Sequence, residues 1–404
     1  MARYPARKWQ IGTDLMLYVL ILAGALWARQ WIVGGLDLRD HAGAAGPIPL
    51  SRAALGEFHR SLDVWLIGEV MSWTGDDPMV AAQFISLGSS MAMVLGALMG
   101  GWAMAGRRGA LGAGLVTAAW SLSIYPAVVI GADPPAYGLI WLAAGLTWLG
   151  ARLGWRGLPL LAAGCVMAGF ATAIKESALP GVVVAAMAPL VIRKRYFFLI
   201  PCGLVTYLAL QWGWETFEPR QKFIFDQIPP VTLQSFQHGW IEVGLLPQRH
   251  MAAGVFDDLT LLCLLGALLP GPAWKQRAAM GLGALGCLWL CARTIDVATR
   301  APVVPRRLIG VSFGVVVMAG VGLGMIQHSL RRWRWLSWLP MIGISGMFFL
   351  DSWAYFYAWG QQRLSIAGGE APTFSEAPEA WSRRYGTMTD MDFRDLSAYG
   401  SLEF

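Results

Sequence analysis

A chain of 404 residues that is 56% hydrophobic and only 14% charged, with a mean hydropathy of +0.50, is too apolar for a soluble globular protein of this size. Its net charge of +6 is spread through short loops between apolar runs, which argues against a nucleic-acid-binding patch. Apolar runs long enough to cross hydrocarbon recur from end to end, so the sequence reads as an all-α polytopic membrane protein, and its 21 Trp suit a large surface at headgroup level.

Arg3, Arg7 and Lys8 precede an apolar stretch, Ile11 to Val33, that is too long for a signal-peptide core. It reads as a retained first span that starts in the cytoplasm. Basic clusters then fall at every second boundary: Arg107-Arg108, Arg152 with Arg156, Arg193-Lys194-Arg195, Lys275 with Arg277, and Arg331-Arg332 with Arg334. The positive-inside rule makes these the cytoplasmic turns and gives about eleven spans. The spans are expected over 11–33, 78–105, 110–130, 135–151, 158–176, 179–192, 196–213, 259–273, 278–295, 308–328 and 337–357. Those at 179–192 and 259–273 are short, as tilted or incomplete crossings would be.

The opposite side then carries loop one (34–77), loop two (214–258) and the tail (358–404), with the transmembrane domain filling 1–357. This is the expected layout of a multi-pass protein of a bacterial inner membrane, with its tail in the periplasm. The cytoplasmic side has only turns, so chemistry is expected on the outer face.

Loop one opens with Gly34-Gly-Leu-Asp-Leu-Arg-Asp-His41, in which Asp37 and Asp40 flank Arg39. A carboxylate where a spanning helix leaves the bilayer can take a proton from an acceptor while a lipid partner stays in the membrane. Taken alone, the same residues are ordinary boundary charges. After Pro49 the loop reads as helical, with Ser51 and then Ser61 or Asp63 as caps. Leu62, Val64, Trp65 and Ile67 mixed with Arg60, Asp63 and Glu69 predict a helix lying along the membrane surface, ended by Gly75-Asp-Asp-Pro78.

Gly131-Ala-Asp-Pro-Pro135 predicts a tight outer turn with Asp133 capping the next helix; a ligand role for Asp133 is the second reading. Lys175-Glu176 stands at the outer end of the fifth span. Charges inside a span tend to mark sites, and at its end they also snorkel to the interface; both readings stay open. Loop two, centred on Pro229-Pro230, reads as surface-lying, and its His238 and His250 lack any metal-ligand spacing. Arg306-Arg307 puts positive charge on the outer side, against the usual bias, and guanidinium groups match phosphate oxygens bidentately. The five cysteines all fall in apolar segments and read as buried thiols with no disulfide framework. There is no GxGxxG after a strand and no P-loop, which argues against an ATP-driven pump.

The order of these parts resembles the GT-C membrane glycosyltransferases, in the branch that holds the protein mannosyltransferase-like and aminoarabinose transferase-like enzymes. The slot for an acidic residue early in the first outer loop holds Gly35-Leu-Asp-Leu-Arg-Asp40. The Gly131-Ala-Asp-Pro-Pro-Ala-Tyr137 turn is similar to the turn before span four. Ala173-Ile-Lys-Glu-Ser-Ala-Leu-Pro180 is similar to the lysine-bearing end of span five, and Val304-Pro-Arg-Arg-Leu-Ile309 to the Arg-Tyr-Leu start of a late span. The chain departs from the pattern in three places: Ser61-Leu62 replace a proline pair after His59, Gln83 replaces an arginine, and Arg307 replaces a tyrosine.

The resemblance implies sugar transfer from a polyprenyl-phosphate-linked donor. Asp37 or Asp40 would be the base on the acceptor, and Lys175 with Arg306 or Arg307 would hold the donor phosphate. Arg39, His59, Asp133 and Glu176 would contact substrate. No metal site is implied by spacing, and a divalent ion has no support in the sequence. Two rival readings accompany this one. An inactive member of the family would serve as a structural subunit, docking protein partners through the acidic tail and loop two. A transporter would place its charges near the midplane in matched halves, which this chain lacks.

Overall fold

The computed structural model describes residues 8–35, 62–75, 77–193, 199–216, 251–270, 273–299 and 308–367, and the statements below concern those residues. They form helices and no strand. In chain order the α-helices are α1 (Lys8–Gly35), α2 (Leu62–Thr74), α3 (Pro78–Ala119), α4 (Ser121–Val128), α5 (Asp133–Leu153), α6 (Leu158–Ile174), α7 (Leu179–Arg193), α8 (Leu199–Thr216), α9 (Met251–Leu268), α10 (Trp274–Thr299), α11 (Ile309–Ser329) and α12 (Leu339–Ala367). Short 3-10 turns lie at Gly154–Gly157, Glu176–Ala178 and Arg331–Trp338.

Four helical stretches are long and apolar enough to cross a membrane: Leu15–Ile32, Pro78–Ala119, Asp133–Ile174 and Ile309–Ser329. Two of them hold two expected spans each. The 78–119 stretch breaks at Ala105 and Gly106, where Gly106 takes φ +64°, and its halves run back along each other so that Gly101 abuts the Gly109 backbone. The 133–174 stretch turns at Gly154 (φ +70°), and Gly164 comes back against Ala143 and Thr147. The two spans expected to be short are short apolar helices, Leu179–Ile192 and Asp258–Leu268. The span expected over 110–130 is not one helix. Trp120 is extended (φ −75°, ψ 134°), and α4 follows with Pro126 inside it, where the ring withholds a helical hydrogen bond.

The helices meet through small residues, as helices do when lipid removes the hydrophobic drive between them. Gly145 abuts the Gly96 backbone, Gly112 abuts Gly320, and Gly322 abuts Leu262, so α3 touches α5 and α11, and α11 touches α9, almost backbone to backbone. At the centre α11 is nearly enclosed. Trp141 and Trp148 on α5 stand edge-on to Phe313, with ring centroids 5.4 and 5.0 Å away, and all three side chains are fully buried.

Loop one contributes α2. Its Val64 and Ile67 are buried against Met79, Ala81, Ala82 and Ile130, so one face packs on the start of α3 while Trp73 on the other face is exposed. Gly75 (φ +89°) ends α2. Asp77 then caps α3, its Oδ1 accepting from the N–H of Met79 at 2.8 Å and of Val80 at 3.3 Å, with Pro78 at the first helical position. All five cysteines are free thiols.

Candidate functional site

One end of the helix bundle gathers the first residues of α3, α5 and α11 and the last residue of α6. Lys175 closes α6. Its N–H donates to the Ala171 carbonyl at 3.0 Å, and its backbone then extends (φ −149°, ψ 127°). The chain reverses at once through the 3-10 turn Glu176–Ala178, where the Ala178 N–H donates to the Lys175 carbonyl at 3.0 Å. A lysine placed there has left the helix just where it ends, so its side chain is directed by the turn and not by the helix face.

That side chain meets Asp133. Lys175 Nζ lies 3.3 Å from Asp133 Oδ1, with the lysine side chain 23% and the aspartate 15% exposed. The expected capping role of Asp133 is corrected here. Ala132 occupies the N-cap position of α5 with no side-chain hydrogen bond, and Asp133 is the first helical residue, with its carboxylate turned to the lysine. The first turn still favours a negative charge through the helix dipole. The attraction of a half-buried ammonium decides which partner the carboxylate takes.

Two residues that the sequence reading passed over complete the surroundings. Ser177 Oγ donates to the buried Tyr137 hydroxyl at 3.4 Å. Ser177 also carries the contact to α11, because a Cβ on Gly310 would sit 2.8 Å from the Ser177 carbonyl oxygen. Trp141 Nε1 donates to the Ile309 carbonyl at 2.7 Å and ties the start of α11 to α5. Both Tyr137 and Ser177 stand within the quoted sequence segments, one α-helical turn after Asp133 and two residues after Lys175.

Of the expected site residues, Asp133 and Lys175 are thus brought together. Glu176 opens the 3-10 turn beside them. Asp37, Arg39, Asp40, His59, Arg306 and Arg307 lie outside the described residues. The described chain resumes at buried Leu308, so the segment bearing Arg306 and Arg307 joins α11 at the end that packs on Ser177 and Ala178. Among the described residues no group of three His, Cys, Asp or Glu is placed to hold a metal ion.

A second buried cation belongs to a different kind of place. Arg29 on α1 is fully buried. Its Nη1 donates to the Ala25 and Ala118 carbonyls, each at 3.1 Å. Its Nη2 donates to the Thr117 carbonyl at 3.5 Å and to Ser123 O and Oγ at 3.3 Å, and its Nε to Ser90 Oγ. Thr117 and Ala118 are in the last turn of α3, whose carbonyls have no helical partner. Ser352 Oγ from α12 donates to the next one, Ala119, at 2.6 Å, and Trp120 N–H donates to Val116 at 2.9 Å. Arg29 is therefore a cap for a helix broken inside the bundle. Ser86 Oγ donates to the Val129 carbonyl at 2.8 Å and holds the chain that leads from α4 to Asp133.

No family model matches the chain, and no curated protein matches it. Solved structures do resemble it. ArnT from Cupriavidus metallidurans in the apo state aligns at 12% identity and a TM-score of 0.48 over 96% of this chain and 77% of that one. The same protein bound to undecaprenyl phosphate aligns at 14% and 0.49, over 95% and 76%. The apo oligosaccharyltransferase of Archaeoglobus fulgidus aligns at 10% and 0.49, over 90% and 59%.

Proposed function

We propose that the protein is a membrane glycosyltransferase that moves a sugar from a polyprenyl-phosphate donor to an acceptor on the outer face of the membrane. The observation that carries this reading is the Lys175–Asp133 pair at the end of the bundle where α11 begins. An ammonium has three N–H donors, so a carboxylate and a phosphate can share it. Asp133 aims Lys175 while the donor is absent.

In the proposed reaction a nucleophilic atom of the acceptor attacks the anomeric carbon of the sugar. The bond between that carbon and the phosphate oxygen breaks. Asp37 or Asp40 takes the acceptor proton, and the polyprenyl phosphate leaves carrying the electron pair. Lys175 with Arg306 or Arg307 stabilises the charge that develops on the leaving oxygen; fixed cations in a site poor in water act strongly on such a charge. Arg39, His59 and Glu176 contact the sugar or the acceptor. The resemblance of the Gly35–Asp40, Ala173–Pro180 and Val304–Ile309 segments to GT-C enzymes supports the same assignment.

Undecaprenyl phosphate is the direct probe. The purified protein is expected to bind it, and Lys175→Ala is expected to weaken that binding about tenfold, the effect of losing ~1.4 kcal/mol. The Asp37→Asn/Asp40→Asn variant is expected to bind it normally and to fail in transfer from a lipid-linked sugar. Unchanged lipid affinity in Lys175→Ala, or transfer by the double aspartate variant, would refute the assignment.

A further inference from the structure

The opposite end of the bundle is built from the break in α3 and the segment after α11. Arg107 and Arg108 follow Gly106 directly, and the Arg108 side chain is exposed. Arg108 Nη1 contacts His328 Nδ1 in the last turn of α11, and a Cβ on Gly324 would sit 2.7 Å from the Arg108 carbonyl oxygen, so the two elements are in close contact there. The 3-10 turn Arg331–Trp338, of sequence Arg-Arg-Trp-Arg-Trp-Leu-Ser-Trp, begins three residues after His328.

The geometry of that turn sorts its residues. A 3-10 helix has three residues per turn, so positions three apart stack on one face. Trp333, Leu336 and the following Leu339 make such a row, and they are 64%, 50% and 58% exposed. Arg332, next to the row, is exposed, while Ser337 is buried and Trp338 half-buried toward the bundle. A row of exposed apolar side chains beside exposed guanidinium groups is the arrangement of a segment lying in a membrane interface: rings and aliphatic groups toward the acyl chains, cations at headgroup level.

The charge balance adds a separate observation. The residues placed at this end, Ala105–Gly109 and His328–Trp338, contain no Asp or Glu. Membrane orientation depends on Lys and Arg, and Asp and Glu contribute little to it. Orientation therefore accounts for the arginines at this end but not for the missing acids. A surface that must hold an anion accounts for both, since a carboxylate among the arginines would compete for them.

We propose that Arg108, Arg332 and the Trp333–Leu336–Leu339 row form a binding surface for an anionic phospholipid of the leaflet at this end. The guanidinium groups take the phosphodiester, for which their fork geometry is suited. The apolar row takes the start of the acyl chains. The surface is distinct from the Lys175–Asp133 site, and its failure would leave the transferase reading untouched.

The full-length protein, purified in detergent and mixed with equal amounts of phosphatidylglycerol and phosphatidylcholine, tests this by native mass spectrometry of the retained lipid. Phosphatidylglycerol is expected to be retained in excess. Arg108→Gln/Arg332→Gln is expected to lower that excess, by about fivefold for each arginine removed. Arg332→Gln alone, at an exposed position, gives the same reading at half the change on a logarithmic scale should the double variant fail to fold. Equal retention of the two lipids by the unaltered protein, or an unchanged excess in Arg332→Gln, overturns the proposal. So does inorganic phosphate that raises the unfolding temperature as much as phosphatidylglycerol does, because the surface would then bind the ion and not the lipid.

Discussion

Lys175 and Arg29 are both cations enclosed by the helices of one bundle, yet their surroundings differ in kind. Arg29 has no contact with water and gives its hydrogen bonds to backbone carbonyls and serine hydroxyls of α1, α3 and α4. Lys175 keeps 23% of its side chain exposed and faces a carboxylate across 3.3 Å. Neutral acceptors arranged around the whole guanidinium leave no place for a ligand. A carboxylate facing one side of an ammonium at the rim of the bundle leaves chemistry open. A buried cation in a membrane protein is thus read by what accepts its protons, not by its burial.

The comparison can be broken at either side. The largest effect is expected from Arg29→Met, which removes the guanidinium donors to the Ala118, Thr117 and Ser123 oxygens and should lower stability by about 3 kcal/mol. Unfolding followed by tryptophan fluorescence in detergent measures it; a loss no greater than that of Lys175→Ala would end the distinction. A smaller effect is expected at the rim. In a cycle of Lys175→Met and Asp133→Asn, the coupling in unfolding free energy should be about 1 kcal/mol, as befits a pair that water still reaches. Ser352→Ala sharpens the picture from the side of the cap. It removes one neutral hydrogen bond to Ala119, and a loss just under ~1 kcal/mol in the same unfolding measurement is expected.

Much of the fold could be read from the sequence because the bilayer imposes length and apolarity on each crossing. The arginine clusters at Arg107-Arg108 and Arg152 with Arg156 fall where the chain reverses, at Gly106 and Gly154. The halt at Trp120 could not be read. Nothing in the run Gly109–Ile130 announces a break until Pro126, and the acceptors that make the break tolerable are met by Arg29 and Ser352, far away in the chain. The same distance hid the use of Arg29, whose acceptors lie on α3 and α4. For the site, Lys175 was legible as a cation at an apolar terminus. Its partner was not, because Asp133 before two prolines has the local signature of a cap, and only the packing of α5 on α6 shows that another group claims it.

The seams at Gly96–Gly145, Gly112–Gly320 and Gly266–Met318 leave no gap wide enough for a methyl group. They hold by steric fit and dispersion and owe nothing to the expulsion of water. Replacing the bilayer with a micelle leaves such contacts in place. The trunk formed by α3, α5, α9 and α11 is accordingly the part of the molecule that should come through solubilisation with its shape intact, a fixed frame against which the arrangement of the outer segments can be compared from one detergent to the next.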